Sequence, residues 1–207
     1  MNARTRSADV ERGRGHVGGH TLVEMLVVAA IMIVASAVSV PYVKAYRAES
    51  HLVGSARLFK GRFRLAHSMA VRRGVYTAIR FEQSGARWRY SIYVDGDYDG
   101  VQSADIASGR DPRVAGPFPL DSGADGVRVG INPGVPAPPP DSGMLQPGSD
   151  PIRFGSGNML SFSPLGTATP GTFYLAGEVR QAAVRVTGGS ARVRIMLCRG
   201  TKWVDQS

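Results

Sequence analysis

A single cysteine, Cys198, stands among 207 residues, so no internal disulfide can form and no cysteine-based zinc or iron–sulfur centre can be built. An exported domain without cross-links must be held by its core alone, and cysteine usage leaves the redox compartment open. Catalytic signatures are missing too. There is no G-x-S-x-G elbow, no P-loop, no H-E-x-x-H, and no cysteine–histidine pair beyond that one unmatched thiol. The chain therefore reads as a non-enzyme, with no cofactor and no metal implied. Acidic residues are few, 16 against 25 lysines and arginines, for a formal charge of +9. That balance opens nucleic acid or anionic lipid headgroups as partners. What is plentiful is glycine, 26 residues, and proline, 13, mostly after residue 95, where turns and loops are expected. The length suits one globular domain and an anchor.

The first forty residues change character abruptly. Residues 1–19 are polar and basic, with Arg4, Arg6, Arg12 and Arg14 against Asp9 and Glu11. Leu22 to Val40 is apolar except for Glu24, Ser36 and Ser39. About 20 apolar residues cross a bilayer as a helix, and this run reaches that length if it begins at His20. The arginines would hold the leader on the cytoplasmic side and place everything after Pro41 outside. A plain membrane anchor fits the composition, and so does a secretory signal peptide cut after Ala37 in Ala35-Ser36-Ala37. Glu24 counts against both, because a carboxylate in such a segment is costly and is a functional candidate by default.

Gly19-His20-Thr21-Leu22-Val23-Glu24, followed at once by the apolar run, resembles the processing site of type IV prepilins and type II secretion pseudopilins. The resemblance implies a leader, residues 1–19, removed after Gly19 by a prepilin peptidase that then methylates the new amine of His20. The family usually has phenylalanine where this chain has His20. It further implies that Glu24 pairs with the N-terminal amine of a neighbouring subunit, two charges that become tolerable in an apolar bundle by neutralising each other.

From His20 a helix is expected to Arg73, with its membrane segment at about residues 20–42. Pro41 removes a backbone donor and is expected to kink or redirect it. Leu52, Ala56, Phe59, Phe63, Ala66 and Ala70 form an apolar stripe at spacings of four and three, and Gly74 ends the pattern. Period-two segments follow: 76–81, 87–94, 127–131, 159–162, 172–176, 182–186 and 191–197. Short strands between Gly/Pro turns predict antiparallel sheet packed on the helix, an α+β fold with a β-rich domain over residues 74–207.

Residues 66–74 and 78–100, with Phe162-Ser163-Pro164-Leu165-Gly166-Thr167 and the strands after it, resemble the GspH/FimT family of minor pseudopilins and minor pilins. The resemblance implies a pilin-like fold, a single-pass place in the bacterial inner membrane with the domain in the periplasm, and other pilins or pseudopilins as partners. It implies a minor pseudopilin of the type II secretion system or a minor type IV pilin. A soluble exported binding domain is the rival from another class. The resemblance lapses over about residues 101–157, a Gly/Pro-rich insertion holding Pro136-Ala137-Pro138-Pro139-Pro140. A loop of that length is functional or disordered as a rule, and a contact surface is one use for it.

Three further groups carry possible chemistry. Asp95-Gly96-Asp97-Tyr98-Asp99-Gly100 opens like a calcium loop, but the place of the bidentate glutamate holds Ile106, so a turn is expected. His51 and His67 are too far apart to share a metal. Arg192 and Arg194 share one face of the last expected strand, where they are candidates for DNA phosphates, with Trp203 available to stack on a base.

Overall fold

The computed structural model describes residues 21–85, 87–120 and 123–206. Gly19 and His20 thus lie outside the described residues. Helix α1 (Leu22–Arg73) is followed by β1 (Thr77–Ser84), β2 (Arg87–Val94), α2 (Ser103–Ser108), β3 (Arg113–Pro119), β4 (Arg128–Val129) and β5 (Ile152–Phe154). Then come β6 (Met159–Phe162), β7 (Gly171–Ala176), β8 (Gln181–Val186), β9 (Val193–Arg199) and β10 (Lys202–Asp205). The chain divides into two compact units, one ending at Tyr42 and one running from Val43 to Ser207.

In the first unit, α1 starts at Thr21, whose Oγ1 accepts the Glu24 N–H at 3.3 Å. That bond satisfies one of the orphan donors of the first turn, and Thr-x-x-Glu is the capping-box spacing. The mean hydropathy of an 18-residue window in this helix is 2.4, and none of that window is buried. Ser39 is accommodated because its hydroxyl donates to the Ala35 carbonyl at 2.8 Å, keeping its polar group bonded within the helix. The helix runs through Pro41 without interruption.

In the second unit, the expected stripe does the packing. Leu52, Ala56, Phe59, Phe63, Ala66 and Ala70 are each at most 1% exposed and join one core with residues of both sheets. Alanine at three of the six positions lets the sheets approach closely, while Phe63 fills the middle. Its ring lies 6.2 Å from Phe81, 5.9 Å from Phe154 and 6.1 Å from Phe173, all near perpendicular. Edge-to-face pairs of this kind add about 0.5–1.5 kcal/mol beyond burial. Gly74, at φ 69°, closes the helix, donating its N–H to the Ala70 carbonyl at 3.0 Å.

One antiparallel sheet has the order β3-β2-β1-β6 and the other β10-β9-β8-β7-β4, with β5 also pairing β7. The stretch 101–157, read from the sequence as a loop insertion, supplies α2 and strands β3, β4 and β5. It buries Val101, Leu120, Ile131, Val135, Leu145, Ile152 and Phe154. Strand β2 also departs from simple alternation. Tyr93 is buried along with Ile92 and Val94, because it packs against Ala78 and Val101 in a small cluster behind the sheet.

Candidate functional site

The most unusual chemical surface is the first half of α1. Leu22, Met25, Leu26, Ile31, Met32 and Ile33 are all more than half exposed, although they point in different directions around the helix. A helix apolar all round is stable only when lipid or other helices surround it. Glu24 sits in its first turn, exposed, where the positive end of the helix dipole favours a carboxylate.

The second unit carries the anchor point of α1 on the sheets. Glu49 Oε1 lies 2.7 Å from Arg199 and Oε2 lies 2.9 Å from Arg180, so one carboxylate bridges the end of β9 and the turn before β8. Sequence reading passed over this group, since Arg199 lies 150 residues away.

The two arginines proposed for phosphates fare differently. Arg192 precedes β9 and is exposed. Arg194 is half-buried, stands opposite Arg185 of β8 in register, and has the Asp205 carboxylate at 3.7 Å. Arg185 is itself neutralised by Asp141 at 3.0 Å. The fold also brings cations from α1 to Arg192. The Lys60 ammonium has its pKa lowered, by burial first and then by Arg64, with Arg192 and Arg57 adding and Asp205 opposing. Trp203 is not available for stacking on a base. Its Nε1 donates to the Pro136 carbonyl at 3.0 Å, and its ring packs against the cluster of Ile131, Val135, Leu145, Tyr174 and Met196.

The aspartate-rich stretch after β2 is a turn. Asp95 is buried, its Oδ1 accepting the N–H groups of Asp97 and Tyr98 at 3.2 and 2.8 Å and its Oδ2 that of Gly100 at 2.9 Å. Asp111, also buried, accepts from the Gly96 and Gln102 N–H groups at 3.1 and 2.9 Å. Carboxylate oxygens of Asp95, Asp97 and Asp99 lie within 4.8 Å of one another. The Asp97 pKa is raised, by desolvation first and then by the hydrogen bond and charge of Asp99. His51 is exposed, with Nδ1 3.4 Å from the Asp125 carbonyl oxygen, and His67 is half-buried beside the Phe162 ring. Cys198 is buried, and that burial pushes its thiol pKa up.

Comparison with curated proteins and with solved structures gives no match. A family model does match: the one described as type II transport protein GspH, over residues 55–190, more than half of the chain. That span takes in α1 from Ser55 with every stripe residue but Leu52, strands β1 to β8 and the 101–157 stretch where the sequence resemblance lapsed. An apolar N-terminal helix joined to antiparallel sheets is thus the pilin-like architecture, and this chain belongs to the GspH family.

Proposed function

We propose that the protein is a minor pseudopilin of a type II secretion system, a structural, non-catalytic subunit of a periplasmic filament. The observation that carries this reading is the first half of α1, apolar on every side and uncovered, continuous with a helix whose second half packs on a β-domain of the GspH family. In the precursor the apolar segment crosses the inner membrane. In the filament the same segment is surrounded by the helices of other pilin-like subunits, and lipid is exchanged for protein at little cost in apolar burial. A prepilin peptidase removes residues 1–19 and methylates His20. Glu24 then meets the N-terminal ammonium of a neighbouring subunit.

Glu24→Gln tests the electrostatic part. Membrane insertion and cleavage after Gly19 persist, since the junction is untouched and a costly ion is removed. Crosslinking to partner subunits falls by orders of magnitude, because an unpaired buried charge costs several kcal/mol. Wild-type crosslinking of the cleaved, inserted variant would contradict this role for Glu24.

A minor type IV pilin that touches DNA is the second reading, favoured by one observation: the grouping of Arg57, Lys60 and Arg64 of α1 with Arg192. Alanine at Arg192 and Arg194 then lowers duplex affinity and flattens its salt slope by about one unit per lost phosphate contact. Absence of salt-dependent DNA binding by the full chain would dispose of it.

A further inference from the structure

The second unit begins at Val43, directly after the segment expected to span the membrane. Two hairpin turns are held against that end of α1. The β7–β8 turn is closed by the Gly177 N–H donating to the Arg180 carbonyl at 2.9 Å, which leaves Glu178 and Val179 at its tip. A Cβ on Gly177 would meet Leu52 Cδ2 at 3.1 Å, so glycine lets the turn press on the helix. Asn132 braces it as well, its Nδ2 donating to the Gly177 carbonyl at 2.9 Å. With Ala45, Tyr46 and Glu49 the turn borders a cavity of about 130 Å³, which sets Val179 level with residues 45–49 of α1. The β9–β10 turn lies beside it: Arg199 shares the Glu49 carboxylate with Arg180, and Gly200 borders one hollow with Val179.

Packing within the domain does not account for the side chains at this end. Val179 is 76% exposed at a hairpin tip, where asparagine, aspartate and glycine are the usual residues, and Tyr46 is 75% exposed. Around them stand Lys44, Arg47, Arg180, Arg199 and Lys202, against the carboxylates of Glu49 and Glu178. Glu49 is held by two arginines at once, so the group stays cationic. The helix supplies a ruler. At a rise of about 1.5 Å per residue, Tyr46 lies about 6 Å beyond residue 42 and Glu49 about 10 Å. The headgroup layer on each face of a bilayer is about 5–8 Å deep. Both turns therefore reach the level of that layer.

We propose that this end of the β-domain seats on anionic phospholipid headgroups, a second membrane contact beside α1, made by the Val179 tip with Lys44, Arg47 and Lys202. The proposal rests on the reading of the first half of α1 as a membrane anchor. Tyr46 and Val179 supply apolar surface at the boundary of headgroup and acyl chain, while the lysine and arginine stems carry their charges to the phosphates. Exposed apolar residues set among the cations favour a lipid surface over a nucleic acid, whose phosphodiester backbone offers them no partner. Each cation at such a surface favours the seated state by about fivefold. A subunit leaving the bilayer for a filament gives up this contact, so anionic lipid holds it back.

The test uses the full-length chain in vesicles of phosphatidylcholine, with or without about 30 mol% phosphatidylglycerol. In a Cys198→Ala background, a fluorophore is attached at Thr201→Cys in the β9–β10 turn or, as a control, at exposed Ala107→Cys in α2, and quenching by headgroup-spin-labelled lipid is measured. Co-flotation with the vesicles reports the anchor separately. The label at residue 201 is quenched strongly in anionic vesicles and weakly in neutral ones, and the label at 107 weakly in both. Val179→Asp, or Arg47→Glu with Lys202→Glu, lowers the seated fraction in anionic vesicles by about tenfold, with flotation unchanged. A chain that floats but shows weak quenching at 201, or equal quenching in both vesicles, would overturn the seat and leave the anchor standing. Loss of flotation would overturn both. Shielding of the label that appears only at high protein-to-lipid ratio, without lipid quenching, would assign the turns to a second copy and overturn the lipid assignment.

Discussion

The two halves of α1 share one helical backbone and are both rich in apolar residues, yet they solve opposite problems. Before Tyr42 the apolar side chains point in every direction and none of the most apolar window is buried. After Val43 one apolar stripe turns to the sheets, every member of it at most 1% exposed, while Tyr46, Leu58, Leu65 and Val71 stay exposed off it. Lysines and arginines such as Arg57, Lys60 and Arg64 share the rest of that surface with those few apolar residues. Angular distribution, and not apolar content, therefore separates a segment built for lipid or a helical bundle from one built for a domain core.

If that separation is real, mutations in the two halves have separable consequences. Phe63→Ala empties the middle of the core, which costs about 3–5 kcal/mol. The thermal transition of the β-domain falls sharply, while the membrane-bound fraction of the chain stays as in wild type. Ile31→Arg does the reverse. It adds about 2.5–3.5 kcal/mol to insertion and lowers membrane retention by roughly a hundredfold, with the domain's transition unmoved. A variant that changed both readouts would break the comparison.

Smaller effects sharpen it. Glu49→Gln removes the charge shared by Arg180 and Arg199, both partly exposed, and lowers stability by about 1 kcal/mol, an effect that shrinks in high salt. Asp97→Asn stabilises the domain slightly at neutral pH, read as a small rise in its thermal transition. The sign follows from the raised Asp97 pKa, whose causes are desolvation and then Asp99. The folded chain holds this proton more tightly than the unfolded one, so the group opposes folding at neutral pH. That penalty is relieved as pH falls through the raised value towards the ordinary 3.8. The wild type therefore gains on the variant in that acid window.

Legibility in the sequence tracked the strength of the local strand pattern, since the sheet-end strands β4 and β6 were expected from 127–131 and 159–162. The central strands β1, β2, β7, β8 and β9 announce themselves by alternation or by runs of β-formers, because burial there is set by sheet and helix together. The strands that went unread, β3, β5 and β10, lie at sheet margins. β3 contains Gly116, Pro117 and Pro119, which an edge tolerates because one side of its ladder is free. β10 has the alternation of only four residues, Lys202 to Asp205, and two of them are charged. Trp203 misled for a related reason: an aromatic near arginines suggests stacking, whereas its indole N–H had a carbonyl to satisfy in Pro136. Thr21 and Glu24 carry the capping-box spacing, a signal visible three residues apart.

On this reading the apolar half of α1 belongs to the mature protein. Intact mass and N-terminal sequencing of the chain recovered from the membrane fraction test it most directly. The expected mature chain begins at His20, carries the added mass of a methyl group on its amine, and keeps Leu22 to Val40. A chain beginning at Val38, recovered free of the membrane, would instead make Ala35-Ser36-Ala37 the end of a discarded signal peptide and remove the anchor.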